Sequence, residues 1–273
     1  MDSKIANTSL LEWIENLQSR GRNSFSLEEL KKAPISQSET GIERSLDRLL
    51  AKKKIVSIRK GYYLIVSPEY SSRGILPADL FIDGFMKFLD RKYYVGLLNA
   101  AAIHGAAHQK PQEYFVVTEL PALRPTIKRG LKINYVSKKN INLKFIEQRK
   151  TAMGYLNISS PALTAVDLIQ FEHRIGGLNR AATILNELVD EMHIEQWSED
   201  FLNDVPNSSI QRLGYLMENV LRKIEHANYL FSLCAQLKKK FFRLPLKSKG
   251  NKRGSSLNNR WKIVPNIEIE IDK

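Results

Sequence analysis

The order of hydrophobic periodicities along residues 1–66 restricts the fold more than any other feature of this chain. Leu10, Leu11, Ile14 and Leu17 recur at helical spacing with Trp13 alongside, and Gly21 marks an end. Ser26-Leu27-Glu28-Glu29 then reads as a capping box, in which the hydroxyl and the carboxylate satisfy opposite unpaired N–H groups at a helix start. The short helix it opens runs through Leu30 and stops at Pro34. Ser36-Gln37-Ser38-Glu39 repeats the box and predicts a third helix, with Ile42, Leu46, Leu49 and Leu50 on its inner face. Ile55-Val56-Ser57-Ile58 and Tyr62-Tyr63-Leu64-Ile65-Val66 flank Arg59-Lys60-Gly61, the pattern of a hairpin with its turn.

Three helices followed by a two-stranded hairpin is the order of a winged helix-turn-helix. Residues 67–76, with Pro68, Ser71, Ser72 and Gly74, read as a linker. The expected fold is therefore α+β: a winged helix-turn-helix over residues 1–70, then a larger mixed α/β domain over residues 77–273. A chain of 273 residues with 43% hydrophobic side chains has the material for two such cores, which excludes disorder over its whole length. In the second domain the pattern predicts a helix from Pro77 to about Asp90, a buried helix over residues 95–107, and strands near 114–117, 133–136, 143–146 and 155–158. Ser160-Pro161 gives an N-cap with proline in the first helical position, helices fill most of the chain to Leu237, and a strand spans residues 261–271. Cys234 stands alone, so neither an internal disulfide nor a cysteine-based zinc site is available, which suits a reducing cytoplasm. No secretory signal is read at the N-terminus, and the least polar stretch, residues 93–107, falls short of the ~20 apolar residues of a membrane span. A cytoplasmic protein without a membrane partner is expected.

Charge is segregated. The formal net charge is +13, and residues 238–262 hold ten Lys and Arg with no acid. This segment is expected to meet phosphate through Lys238, Lys239, Lys240, Arg243, Lys247, Lys249, Lys252 and Arg253, and to be mobile over residues 247–259. Lys238-Lys239-Lys240-Phe241-Phe242-Arg243 mixes cations with aromatics, as suits stacked bases or, equally, the end of a core helix. Between Arg180 and Arg212 there is no Lys or Arg, but seven acids, read as a solvated face. With Ile42, Leu46 and Leu49 inward, the third helix turns Gln37, Gly41, Arg44 and Arg48 outward. Gln37, Ser38, Thr40 and Arg44 are the base-reading candidates, Arg48 a phosphate contact, and Arg59 and Lys60 the hairpin tip that reaches the neighbouring backbone or minor groove.

No catalytic residue, metal ligand or cofactor is nominated. A Gly-rich phosphate loop, a GxSxG elbow and a nucleophile cluster around Cys234 are all missing from the sequence. His104 and His108 have helical i, i+4 spacing, but a packed structural role is expected for them. Glu268, Glu270 and Asp272 alternate along the expected last strand, which keeps open the alternative of a metal-dependent nucleic-acid-processing enzyme with a winged-helix targeting domain.

Longer motifs carry a resemblance. Tyr93-Tyr94-Val95-Gly96-Leu97-Leu98 runs into Ala101-Ala102-Ile103-His104-Gly105, and Gln109-Lys110-Pro111-Gln112 precedes Val116-Val117-Thr118. Ser160-Pro161-Ala162-Leu163-Thr164-Ala165-Val166-Asp167-Leu168, Gly176-Gly177-Leu178, Arg212-Leu213-Gly214-Tyr215-Leu216 and Arg260-Trp261-Lys262 follow, with Asn266 before an acidic end. With these motifs the chain resembles the AbiEi antitoxins of type IV toxin–antitoxin systems over nearly its whole length. The resemblance implies a winged helix that represses its own operon by binding repeats in the promoter. It also implies a C-terminal domain that counteracts a nucleotidyltransferase-like toxin; direct contact and a shared nucleic-acid target both stay open as the route, and the basic 238–262 segment favours further phosphate contact, to operator DNA or to RNA. It supplies no catalytic residues. Gly96, Gly105 and Gly214 are expected to allow close packing, Pro161 to start a helix and Asp167 to make a buried hydrogen bond.

Overall fold

The computed structural model describes residues 8–106, 111–248 and 258–271, and it is a mixed α+β protein. Two compact units divide the chain: residues 1–94, 116–141 and 148–157 form one, and residues 95–115, 142–147 and 158–273 the other.

In the first unit α1 (Leu10–Ser19) starts at a capping box that sequence reading passed over: Ser9 Oγ accepts the Glu12 N–H at 3.3 Å and Glu12 accepts the Ser9 N–H at 2.8 Å. After β1 (Ser24–Ser26), α2 (Leu27–Lys32) opens on the Ser26/Glu29 box as expected. Burial acts to raise the Glu29 carboxyl, but hydrogen bonds from Ser26 and the 2.7 Å pair with Arg22 outweigh it and hold the group below the usual carboxylate range. α3 (Glu39–Ala51) is capped by Ser38, not by Ser36. The reason is tertiary: Ile35 bridges Thr8 in parallel and the Ser36 N–H reaches the Thr8 carbonyl, which fixes Ser36 before the helix begins. β2 (Ile55–Arg59) and β3 (Tyr62–Ile65) form the hairpin, and β1 pairs antiparallel on the other side of β3, giving the order β1-β3-β2. Leu10, Ile14, Phe25, Leu30, Leu46 and Ile65 are in the core these elements share.

The helix expected from Pro77 is shorter. Ala78–Leu80 forms a 3-10 turn, and α4 spans Ile82–Phe88. Tyr62 lies against Phe85 and Phe88, with ring centroids 5.3 and 4.9 Å away, and donates its hydroxyl to Ser24 Oγ at 2.8 Å. Burial pushes that phenol up to about 12.

A six-stranded mixed sheet has the order β6-β7-β5-β4-β9-β8. Its strands are β4 (Tyr93–Val95), β5 (Tyr114–Glu119), β6 (Thr126–Lys128), β7 (Leu131–Lys138), β8 (Ile146–Thr151) and β9 (Gly154–Ser159). β4 and β9 are parallel at Val95 and Ile158, whereas β6 and β7 are antiparallel. Two expectations are corrected here. Residues 93–95 form a strand, so α5 (Leu97–Ile103) starts later than residue 95. The strand expected at 143–146 is a 3-10 turn, Leu143–Phe145, because Asn142 Oδ1 caps the Lys144 N–H at 3.1 Å, and strand geometry begins only at Ile146.

The second unit is helical: α6 (Pro161–Gln170), α7 (Leu178–Leu188), α8 (Glu199–Asp204), α9 (Asn207–Tyr215) and α10 (Ile224–Gln236), with a π turn at Leu216–Val220. Ser160 caps α6 with Pro161 in its first turn, as expected, and Asp167 is fully buried on that helix. Short strands β10 (Leu244–Pro245) and β11 (Ile263–Val264) pair in parallel. A strand over all of residues 261–271 is therefore not formed. Glu268 and Glu270 share no sheet face, and Asp272 lies outside the described residues.

Trp261 holds this region together. Its ring stacks on Phe241 at 5.7 Å and meets Phe231 edge-on at 5.3 Å, while its Nε1–H donates to Glu218 Oε2 at 2.5 Å. The same carboxylate accepts from Arg260 Nε at 2.8 Å. The ring lies directly over Gly214, as the close-packing expectation for that glycine requires. Gly105 differs: a Cβ there would meet open space, and the position calls for glycine because its φ is +88°.

Candidate nucleic-acid interface

The candidate face is built by α3 and the β2–β3 hairpin of the first unit. Leu46 and Leu49 bury one side of α3, so the helical repeat turns Thr40, Arg44, Asp47 and Arg48 outward, and all four are exposed. Gln37 is exposed too, but it precedes the helix. Ser38 Oγ is engaged as the cap, accepting the Gly41 N–H at 3.2 Å and sitting 3.2 Å from Thr40 Oγ1. Arg48 lies back along the helix, its Nε–H donating to the Arg44 carbonyl at 3.3 Å, which brings two guanidinium groups onto one stripe.

At the hairpin tip, the register between β2 and β3 shifts between Ser57 and Arg59, and Ser57 Oγ donates to the Arg59 carbonyl at 3.1 Å. Gly61 turns the chain with φ +83°, a conformation glycine adopts without strain. Arg59 and Lys60 are exposed there. Arg59 is close enough to Tyr135 on β7 for its charge to work against the burial that raises that phenol.

The second basic set is divided by the fold. Lys238, Lys240, Arg243 and Lys247 are exposed, whereas Lys239 Nζ donates to the Leu202 carbonyl at 2.5 Å. Lys249, Lys252 and Arg253 lie outside the described residues. The two phenylalanines part company as well: Phe241 joins the Trp261 stack and Phe242 is 64% exposed. His104 is a structural residue, its Nε2 2.7 Å from the Ser159 carbonyl, and His108 is outside the described residues. Among the described residues no group of three or more His, Cys, Asp or Glu is placed to hold a metal ion, and no helix is long and apolar enough to cross a membrane. The acids of the 181–211 stretch are surface groups in part paired with cations, Asp190 with Lys223 at 2.5 Å and Asp200 with Lys144 at 2.7 Å.

Sequence reading missed a third concentration of positive charge. Residues 121–150 contain nine Lys and Arg against the single acid Glu147. Counting charge in windows would have found it. No long run of like charge marks it, because the cations come singly or as the pairs Lys128-Arg129, Lys138-Lys139 and Arg149-Lys150, spread over strands and loops.

Residues 94–219 match the family model of the AbiEi antitoxin C-terminal domain. Among solved structures, the crystal structure of the RV2827C protein from Mycobacterium tuberculosis has the same fold at 14% identity, with a TM-score of 0.65 over 92% of this chain and 89% of that one. No curated protein matches the sequence.

Proposed function

We propose that this chain is the antitoxin of a type IV toxin–antitoxin system that represses its own operon. Residues 1–70 act as a winged helix-turn-helix on operator DNA in the promoter, and the C-terminal domain counteracts a nucleotidyltransferase-like toxin. The observation that carries the DNA reading is the exposed pair Arg44 and Arg48 on α3, opposite the buried Leu46 and Leu49 and in one unit with the cationic hairpin tip. The helix–strand–helix–helix–hairpin order supports it, since such an arrangement offers one helix to the major groove and a hairpin to the flanking backbone. The antitoxin role itself rests on the family match.

A fluorescence-anisotropy titration tests the proposal, comparing a duplex from immediately upstream of the gene with a scrambled duplex across a salt series. A preference of about 10³-fold or more for the upstream duplex is expected of a specific binder. Arg44→Ala should weaken that binding by ~1–3 kcal/mol while leaving random DNA little changed, as for a side chain that reads a guanine. Lys60→Ala should weaken all duplexes alike and flatten the salt slope. Equal, steeply salt-dependent binding to both duplexes would reduce the interaction to polyanion affinity and refute the repressor assignment.

A further inference from the structure

Arg212 opens the Arg212-Leu213-Gly214-Tyr215-Leu216 motif and is half-buried on α9. Its Nε donates to the Pro245 carbonyl at 3.1 Å, and among the described residues Nη1 and Nη2 donate to nothing. Burial works against its charge, and the carboxylate that offsets this, Glu172, makes no ion pair with it. A guanidinium taken partly out of water with most of its donors unused is costly unless an anion completes it.

Pro245 is also one wall of a cleft of about 220 Å³, shared with Arg243, Leu244 and Val264. Arg243 is exposed and has no partner among the described residues. α9 holds this stretch of chain from both sides of residue 242: Gln211 Nε2 donates to the Phe242 carbonyl at 2.8 Å, and Gln211 Oε1 accepts the Phe242 N–H at 3.4 Å. Beside it, β10 and β11 pair in parallel. Two guanidinium groups with unused donors therefore meet the same short segment, Arg243 as part of it and Arg212 through Pro245, next to an apolar wall.

We propose that Arg212 and Arg243 together hold one phosphate group of a small ligand in this cleft. The planar guanidinium fork matches phosphate oxygens and binds them in pairs, which a single ammonium does not. No acid occurs in residues 238–262 to compete for the cations of this segment. The cleft is smaller than the ~300–1,000 Å³ of sites for larger ligands, so it takes one phosphate-bearing unit rather than an extended chain. That phosphate arrives free, as pyrophosphate or on a nucleotide.

Isothermal titration of the full chain with sodium phosphate, sodium pyrophosphate or ATP, at fixed ionic strength, tests this and distinguishes the sources. Saturable binding of one equivalent is expected for at least one titrant, with a dissociation constant of about 1 mM or less. Arg243→Ala should raise that constant about tenfold or more with circular dichroism unchanged, because the side chain is exposed and unpartnered among the described residues. Arg212→Lys keeps the charge but lacks the fork and should raise it several-fold. Glu172→Gln removes the acid that opposes an incoming anion and should lower it several-fold. Arg222→Gln, at an exposed cation that does not line the cleft, should leave it unchanged. Absence of saturable binding for all three titrants, or indifference to Arg243→Ala or Glu172→Gln, would overturn the proposal. So would an equal loss with Arg222→Gln, which would reduce the effect to the attraction of anions by a chain of net charge +13.

Discussion

Gly214→Ala is the most informative single perturbation of the helical unit. A Cβ at this position would fall far inside contact distance of three carbons of the Trp261 six-membered ring. The ring has little freedom to yield. It is fully buried, stacked on Phe241, edge-on to Phe231 and tied through Nε1 to Glu218, while Gln211 Nε2 donates to the Trp261 carbonyl at 2.7 Å. Forcing a methyl into a packed core costs about 1–3 kcal/mol. Expelling the indole instead would forfeit the burial of ~200 Å², roughly 5 kcal/mol at about 25 cal/mol per Å², so the lesser distortion is the route taken. Against this stands the gain of replacing glycine by alanine within a helix, at most about 1 kcal/mol. A net loss of about 1 kcal/mol is expected, a fall in melting temperature of roughly 2–4 °C for a chain of this size. Thermal and urea unfolding followed by circular dichroism would measure it. The control is Trp261→Leu, which destabilises by itself but removes the ring. In that background Gly214→Ala should be neutral or slightly stabilising. A Gly214→Ala protein as stable as wild type, with Trp261 present, would refute the close-packing account.

Two further outcomes follow from the packing. Trp197 Nε1–H donates to His226 Nδ1 at 3.3 Å, and burial holds that imidazole below its ordinary value of 6.5, against the pull of Glu225 and Asp190. The folded state therefore binds this proton less readily than the unfolded chain. The contribution is complete above pH ~6.5 and is lost as pH falls below it through the lowered folded value. Melting temperatures of wild type should drop more steeply below pH 6.5 than those of His226→Gln, and parallel curves would remove His226 as a cause. The second outcome concerns the limits of the N-terminal fragment. Tyr62 is covered by Phe85 and Phe88, and Asn23 Nδ2 donates to the Leu80 carbonyl at 2.9 Å. A fragment of residues 1–70 should melt at lower temperature, or without cooperativity, compared with one of residues 1–94. Equal melting of the two would show that α4 contributes nothing to the hairpin.

What could be read from the sequence were features whose cause lies within four residues. The Ser26/Glu29 box, the Ser160 cap before Pro161 and the stripe of Leu46 and Leu49 depend on side chains one helical turn apart, so a linear reading finds them. The hairpin around Gly61 is equally local. So is the outward position of Arg44 and Arg48, which alternation around a helix dictates once the inner face is known. The AbiEi resemblance likewise rested on contiguous motifs, and the family match covers residues 94–219.

What tertiary structure decided alone was everything set by partners distant in the chain. Strands β1, β4 and β6 have three residues each, too few for a periodicity of two to register, and they exist because neighbouring strands complete their ladders. The start of α3 at Ser38 rather than Ser36 is imposed by Thr8, and the stop of the last strand at Val264 was invisible in an alternation that continues to Ile271. Arg260 and Lys239 counted as free cations in the sequence, but one is held by Glu218 and the other by the Leu202 carbonyl. Local propensity fixes which backbone conformations a segment favours. Which donor meets which acceptor, and whether a charge faces solvent or a carbonyl forty residues away, is determined only when the chain has closed on itself.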